Sequence, residues 1–146
     1  MPDLSNLNCY PVTKSDSIPD NLLNQVKDKN WSNDNFRKYI PDFIADPDCI
    51  LSLFLDGEGN TKGFIWADIN RLTNYLFVHV LSLSSDYQKK HILETTEKLL
   101  FNISKDYNLK GIQFITTRPK AFEKLGAKKS KGFIMEKLIK EDLYAT

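Results

Sequence analysis

The hydrophobic positions change period along the chain, and each change marks an element. Ile50 to Asp56, "ILSLFLD", reads as a strand and "GEGN" as a turn; Lys62 to Asn70, "KGFIWADIN", then alternates, with Phe64, Trp66 and Asp68 on one face and Ile65, Ala67 and Ile69 on the other. After a second turn, "RLTN", the run Tyr75 to Leu83, "YLFVHVLSL", is apolar on both faces, as a central strand is. The three runs predict an antiparallel meander, and in their alternation His79 shares a face with Tyr75, Phe77 and Leu81. "SSDYQ" leads into a helical period in which Ile92, Thr96, Leu99, Leu100, Ile103 and Tyr107 line one side. Lys89, Lys90, Glu94, Glu97, Lys98 and Lys105 fill the rest, and the pattern stops near Asn108. Gly111 to Thr117, "GIQFITT", is a further buried strand, and a strand, a long helix and a strand predict a crossover that sets it parallel to Tyr75 to Leu83. Pro119 opens a short helix with Ala121, Phe122 and Leu125 on its apolar side, Gly126 ends it, and "GFIMEKLI" closes the pattern as a strand.

Residues 1–49 are less regular. "CYPV" reads as an opening strand, and "SIPDNLLNQVKDKN" as a helix with Pro19 near its start and Leu22, Leu23 and Val26 on one face. "SNDNFRKYIPDFIADPD" reads as a shorter helical piece interrupted by Pro41. This irregular part is expected to cap a core spanning residues 50–140, within one domain of residues 1–146.

Composition narrows the function classes. A chain of 146 residues that is 41% hydrophobic supports one sizeable core. Its 20 Lys+Arg against 19 Asp+Glu leave a net charge of +1, so no global field marks it as a nucleic-acid or membrane binder, and any phosphate recognition is local. Cys9 and Cys49 have no metal-like or redox-like spacing and read as small buried hydrophobes in an intracellular setting. "MPDLSNLNCYPV" lacks the pattern of a signal peptide, and no run approaches the roughly 20 apolar residues of a membrane span. A soluble, cytoplasmic protein is the expectation.

The last part of the pattern, "FEKLGAKKSKGFIMEKL" from Phe122 to Leu138, resembles the C-terminal signature of the GCN5-related N-acetyltransferase (GNAT) superfamily, and the order of elements from Ile50 to Ile139 is similar to that family's. The resemblance implies an α/β fold of the α+β kind: a mixed, mostly antiparallel sheet with one splayed parallel strand pair, a long helix after the third meander strand, a short C-terminal helix and a closing strand. It implies acetyl-CoA in the splayed gap. By that likeness the backbone of Leu81, Ser82 and Leu83 faces the thioester, Gln88, Lys89, Lys90, His91, Ile92 and Leu93 form the pyrophosphate loop, and Arg118 and Phe122 lie beside the cofactor. Physical chemistry favours the same place, because diverging strands leave unpaired backbone groups and the crossover helix directs its free N–H groups and positive dipole end into the gap.

The sequence departs from the family at three points. The family's loop is Q/R-x-x-G-x-G/A, whereas His91 and Leu93 stand where its small residues belong. A side chain at a glycine-only backbone position costs about 1–2 kcal/mol, and about 1.4 kcal/mol is tenfold in affinity. Cofactor binding is therefore weakened or lost unless Lys89, Lys90 and His91 compensate as phosphate ligands, with Asp86 opposing them. Ser85 to Gln88 also reads as a capping box, which would use the same amides for the helix. Phe122 stands where many members carry a tyrosine that protonates the departing thiolate, and a phenyl ring has no proton to give. For the base, His79 is the candidate if it faces the cleft, with Asp68 to orient it; a packing histidine is the alternative. Two functions follow: an acyl-CoA-dependent N-acyltransferase transferring an acetyl group to an amine, or a GNAT-fold binding or structural module without catalysis. Examples of the second are a virion-associated phage or viral component and an inhibitor of a host protein. The joint loss of loop glycines and tyrosine speaks for the second.

Overall fold

The computed structural model describes residues 7–28, 30–87, 92–115, 123 and 128, with backbone alone for 92–95. Contacts divide the chain into two compact units, Met1–Thr116 and Thr117–Thr146, and every element described belongs to the first. In order these are β1 (Asn8–Pro11), α1 (Asp20–Leu23), α2 (Asn33–Ala45), β2 (Cys49–Leu55), β3 (Thr61–Asn70), β4 (Tyr75–Leu83), a 3-10 turn (Ser85–Tyr87), α3 (Ile92–Asp106) and β5 (Gly111–Phe114). The sheet runs β1-β2-β3-β4-β5 and is antiparallel except for the parallel pair β4–β5. The expected fold class is therefore present: a mixed, mostly antiparallel sheet with one parallel pair joined through a long helix.

Turn chemistry holds the meander in register. Asp56 Oδ1 accepts the N–H groups of Glu58 and Asn60, and Gly59 takes a φ of 84°, a left-handed conformation that costs glycine little. In the next hairpin Asn70 Oδ1 accepts from the N–H groups of Leu72 and Thr73, and Asn74 is left-handed at φ 63°. Asn74 O then receives the Lys110 N–H at 2.7 Å, so the tip of this hairpin is tied to the start of β5.

The two faces of the sheet bury different cores. On one, Ile65, Ala67, Ile69, Leu76 and Val78 pack with Leu100 and Ile103 of α3. On the other, Leu51 and Phe64 pack with Leu22 and Leu23 of α1 and Phe36 and Ile40 of α2, with Trp31, Phe43 and Trp66 against them. Each fully buried large side chain contributes about 1.5–3 kcal/mol, and Phe64, Leu22, Leu23 and Ile40 are all 0% exposed.

Several expectations are corrected. The first helix is only Asp20–Leu23, so Val26 lies beyond it. Pro41 does not interrupt α2, which runs from Asn33 to Ala45 with the proline inside. Pro41 is exposed, so the Arg37 carbonyl that loses a donor there can turn to water. Tyr107 lies past the end of α3 and is 52% exposed, because left-handed Asn108 turns the chain there. Cys9 is exposed and Cys49 half-buried, since β1 is an edge strand and Cys49 begins β2. Among the described residues no helix is long and apolar enough to cross a membrane.

Candidate active site

β3 and β4 are not in simple register. Trp66 pairs with Val80 and Ala67 with Val78, which leaves His79 as an extra residue, a β-bulge. The bulge reverses the alternation of β4. Val80 joins Trp66 in the aromatic core while Leu81 and Leu83 belong with Val78 and Leu76 in the aliphatic one. Leu81 therefore does not share a face with His79, contrary to simple alternation. A bulge also bends its strand and steepens the local twist, and the parallel ladder with β5 ends at Val78 and Phe114, immediately before His79. Ile115 has already left the ladder, while β4 continues to Leu83 against β3. The bulge follows directly on the last described β4–β5 pair.

His79 projects from the bulge onto the aromatic face. Its ring stacks on Trp66 at 4.4 Å between centroids and 26° between planes, with Phe77 tilted at 5.0 Å. Phe43 stacks on the same indole at 4.9 Å. His79 Nε2 lies 2.5 Å from Asp68 Oδ2, and the two side chains are 30% and 45% exposed, so the pair is held at the surface of the aromatic cluster within reach of solvent. The predicted pair is thus brought together by position: Asp68 faces Phe77 across the β3–β4 ladder.

Cys49, opposite Asp68 in the β2–β3 ladder, completes this corner. Burial, then the negative charges of Asp68 and Asp46, push its thiol up to about 12, so it stays protonated at neutral pH and is no nucleophile. Sequence reasoning did not place Cys49, Phe43 or the bulge at this site. The signal for the bulge was the shift of apolar positions from Leu76 and Val78 to Leu81 and Leu83, which the both-faces-apolar character of β4 conceals. Among the described residues no group of three or more His, Cys, Asp or Glu side chains could hold a metal ion.

Further along β4, the Ser84 N–H donates to Lys62 O at 2.7 Å. Antiparallel alternation then directs the main-chain groups of Ser82 toward β3 and those of Leu81 and Leu83 toward the edge on the β5 side. The Ser82 side chain turns the other way, to α1. Gly63 is needed here: a Cβ on it would meet Leu83 Cδ2 at 2.6 Å and Ser82 O at 2.7 Å. Asp86 is held by the Ser84 hydroxyl at 2.5 Å and by Lys62 Nζ at 3.0 Å. The hydroxyl, then the ammonium, keep its carboxyl below the ordinary range, and the same carboxylate raises Lys62. Ser85 begins a separate 3-10 turn. Of the predicted loop, Ile92 and Leu93 lie in α3, while Gln88, Lys89, Lys90 and His91 lie outside the described residues, as do Arg118 and Phe122.

No protein-family model matches the sequence, and no curated protein matches it. Solved structures do. A spermidine/spermine N-acetyltransferase from Vibrio cholerae is 18% identical, with a TM-score of 0.64 over 84% of this chain and 76% of that one. Glucosamine-6-phosphate N-acetyltransferase from Arabidopsis thaliana is 14% identical, with a TM-score of 0.60 over 92% and 99%. An acetyltransferase from Trypanosoma brucei is 15% identical, with a TM-score of 0.61 over 90% and 99%. The likeness at these identities is one of fold, and the fold is the GNAT fold of acetyltransferases.

Proposed function

We propose that the chain is an acyl-CoA-dependent N-acyltransferase that moves an acetyl group to an amine, with His79 as general base. The observation that carries this reading is the His79–Asp68 contact beside the end of the described β4–β5 pairing. Acetyl-CoA, when bound, supplies an activated thioester. The edge of β4 fits an extended ligand of that kind, because antiparallel alternation turns the main-chain groups of Leu81 toward it. In the tautomer whose Nε2–H donates to Asp68 Oδ2, the His79 Nδ1 lone pair is left to take the proton of an incoming ammonium. Stacking on Trp66 and the tilted ring of Phe77 fix the imidazole plane. The Lys62 and Ser84 contacts compensate the charge of Asp86, which would otherwise oppose a diphosphate near α3.

The test is a calorimetric titration with acetyl-CoA, followed by thiol-release assays over a set of amines. Spermidine and glucosamine 6-phosphate come first, as the amines named for two of the structural neighbours. We expect binding, and a kcat lowered by about 10²–10⁴ in His79→Ala. Absence of heat at millimolar acetyl-CoA would sink the enzyme and leave the non-catalytic binding module; an unchanged rate in His79→Ala would remove the base.

A further inference from the structure

The side chain of Ser82 is turned away from the β4 edge and buried, with the residue 5% exposed. Its Oγ lies 2.8 Å from Leu22 O and 2.9 Å from Gln25 Oε1. A hydroxyl has one hydrogen to give. With that hydrogen on Leu22 O, the second contact becomes a bond when the Gln25 amide is turned so that its NH₂ donates to Oγ. α1 has only four residues, too few to sustain itself, so its place is set by the burial of Leu22 and Leu23 and by this hydroxyl. From α1 the contacts continue. Arg37 of α2 donates to Ser15 O and Ile18 O, both at 2.7 Å, and pairs with Asp20 at 2.5 Å. Phe36 beside it packs 4.9 Å from Trp31 and 5.3 Å from Trp66.

We infer that Ser82 is a positioning residue: it couples the path of β4 between Leu81 and Leu83 to the α1–α2 layer and its aromatic cluster. The inference rests on the acyl-CoA reading above, which assigns that edge of β4 to the ligand. A ligand that shifts β4 by a fraction of an ångström carries the hydroxyl with it. Hydrogen bonds weaken steeply off geometry, and the N–H of Gln25 reaches Leu22 O only at a longer 3.4 Å, so losing the hydroxyl leaves that buried carbonyl weakly held and α1 follows the strand. Cofactor binding on one side of the sheet edge thereby sets the wall that an amine meets on the aromatic face.

The test uses a Trp66→Phe protein, in which Trp31 is the remaining tryptophan of the two, with acetyl-CoA as the probe. Calorimetry reports binding and Trp31 emission reports the α1–α2 layer. We expect both signals at the same Kd. Adding Ser82→Ala should abolish most of the emission change at saturating acetyl-CoA, and Ser82→Thr should restore it. An emission change undiminished by Ser82→Ala overturns the coupling. Heat without an emission change in the Ser82 protein overturns it too, and leaves the acyl-CoA reading standing. No heat at all removes the acyl-CoA reading, and the coupling with it.

Discussion

The two faces of the sheet are built by different means. The α3 face is mainly aliphatic, and most of its residues come from regular elements whose spacing aims them inward, with Leu81 and Leu83 turned there by the bulge. The α1–α2 face is aromatic, with Trp31, Phe36, Phe43, Phe64 and Trp66 in mutual contact. It is secured by specific polar ties through Arg37 and Ser82. The first face is a scaffold that many sequences could supply. The second carries the histidine and depends on individual side chains, which is where a particular activity would be written.

The sharpest way to break this contrast is to cut one large ring from each face. Phe54 and Phe64 are 1% and 0% exposed, and Phe54→Ala and Phe64→Ala should each cost about 3–5 kcal/mol in urea unfolding. A Phe64→Ala cost below about 1 kcal/mol would mean the aromatic face is loosely packed and outside the cooperative unit. Arg37→Ala should cost about 2 kcal/mol, since it strips two carbonyls and a carboxylate of a charged donor. Limited proteolysis should then cut near residues 13–20 while α3 stays protected; uniform protection would show that the tie is redundant. Gly63→Ala should cost about 1–3 kcal/mol by overpacking, because its neighbours include a backbone oxygen.

The smallest effect belongs to Lys62 and Asp86. Asp86 is held below the usual carboxylate value, so its contribution is present above the unfolded value of about 3.9 and is lost as pH falls through the folded one. Lys62 is raised, so its contribution is present below about 10.4 and is lost as pH rises through its folded value. The melting difference between wild type and Asp86→Asn should therefore be small and level through neutral pH, and should close in acid. A difference that widens in acid would contradict the pairing.

The fold was legible wherever one period persisted. Alternation in β3 assigned Phe64, Trp66 and Asp68 to one face, and the spacing in α3 assigned Leu100 and Ile103 to the core. The parallel pairing of Gly111 with Tyr75 follows from the length of the crossover between them. The His79–Asp68 pair was legible because adjacent hairpin strands bring such positions together. What escaped reading depends on non-local register. The bulge is a relation between two strands, Cys49 meets Asp68 only through the pairing of β2 with β3, and the α1 carbonyl that Ser82 satisfies lies 60 positions away. Pro41 misled because its cost inside a helix depends on which side meets water.

The bulge has one further consequence. Leave His79 out of the register and every flanking residue falls into step: Val78 and Leu81 on the α3 face, Val80 and Ser82 on the α1–α2 face, each opposite its β3 partner. The histidine is therefore surplus to the sheet's own arithmetic. Deleting it should leave a straighter strand, at the cost of its stack on Trp66 and its contact with Asp68.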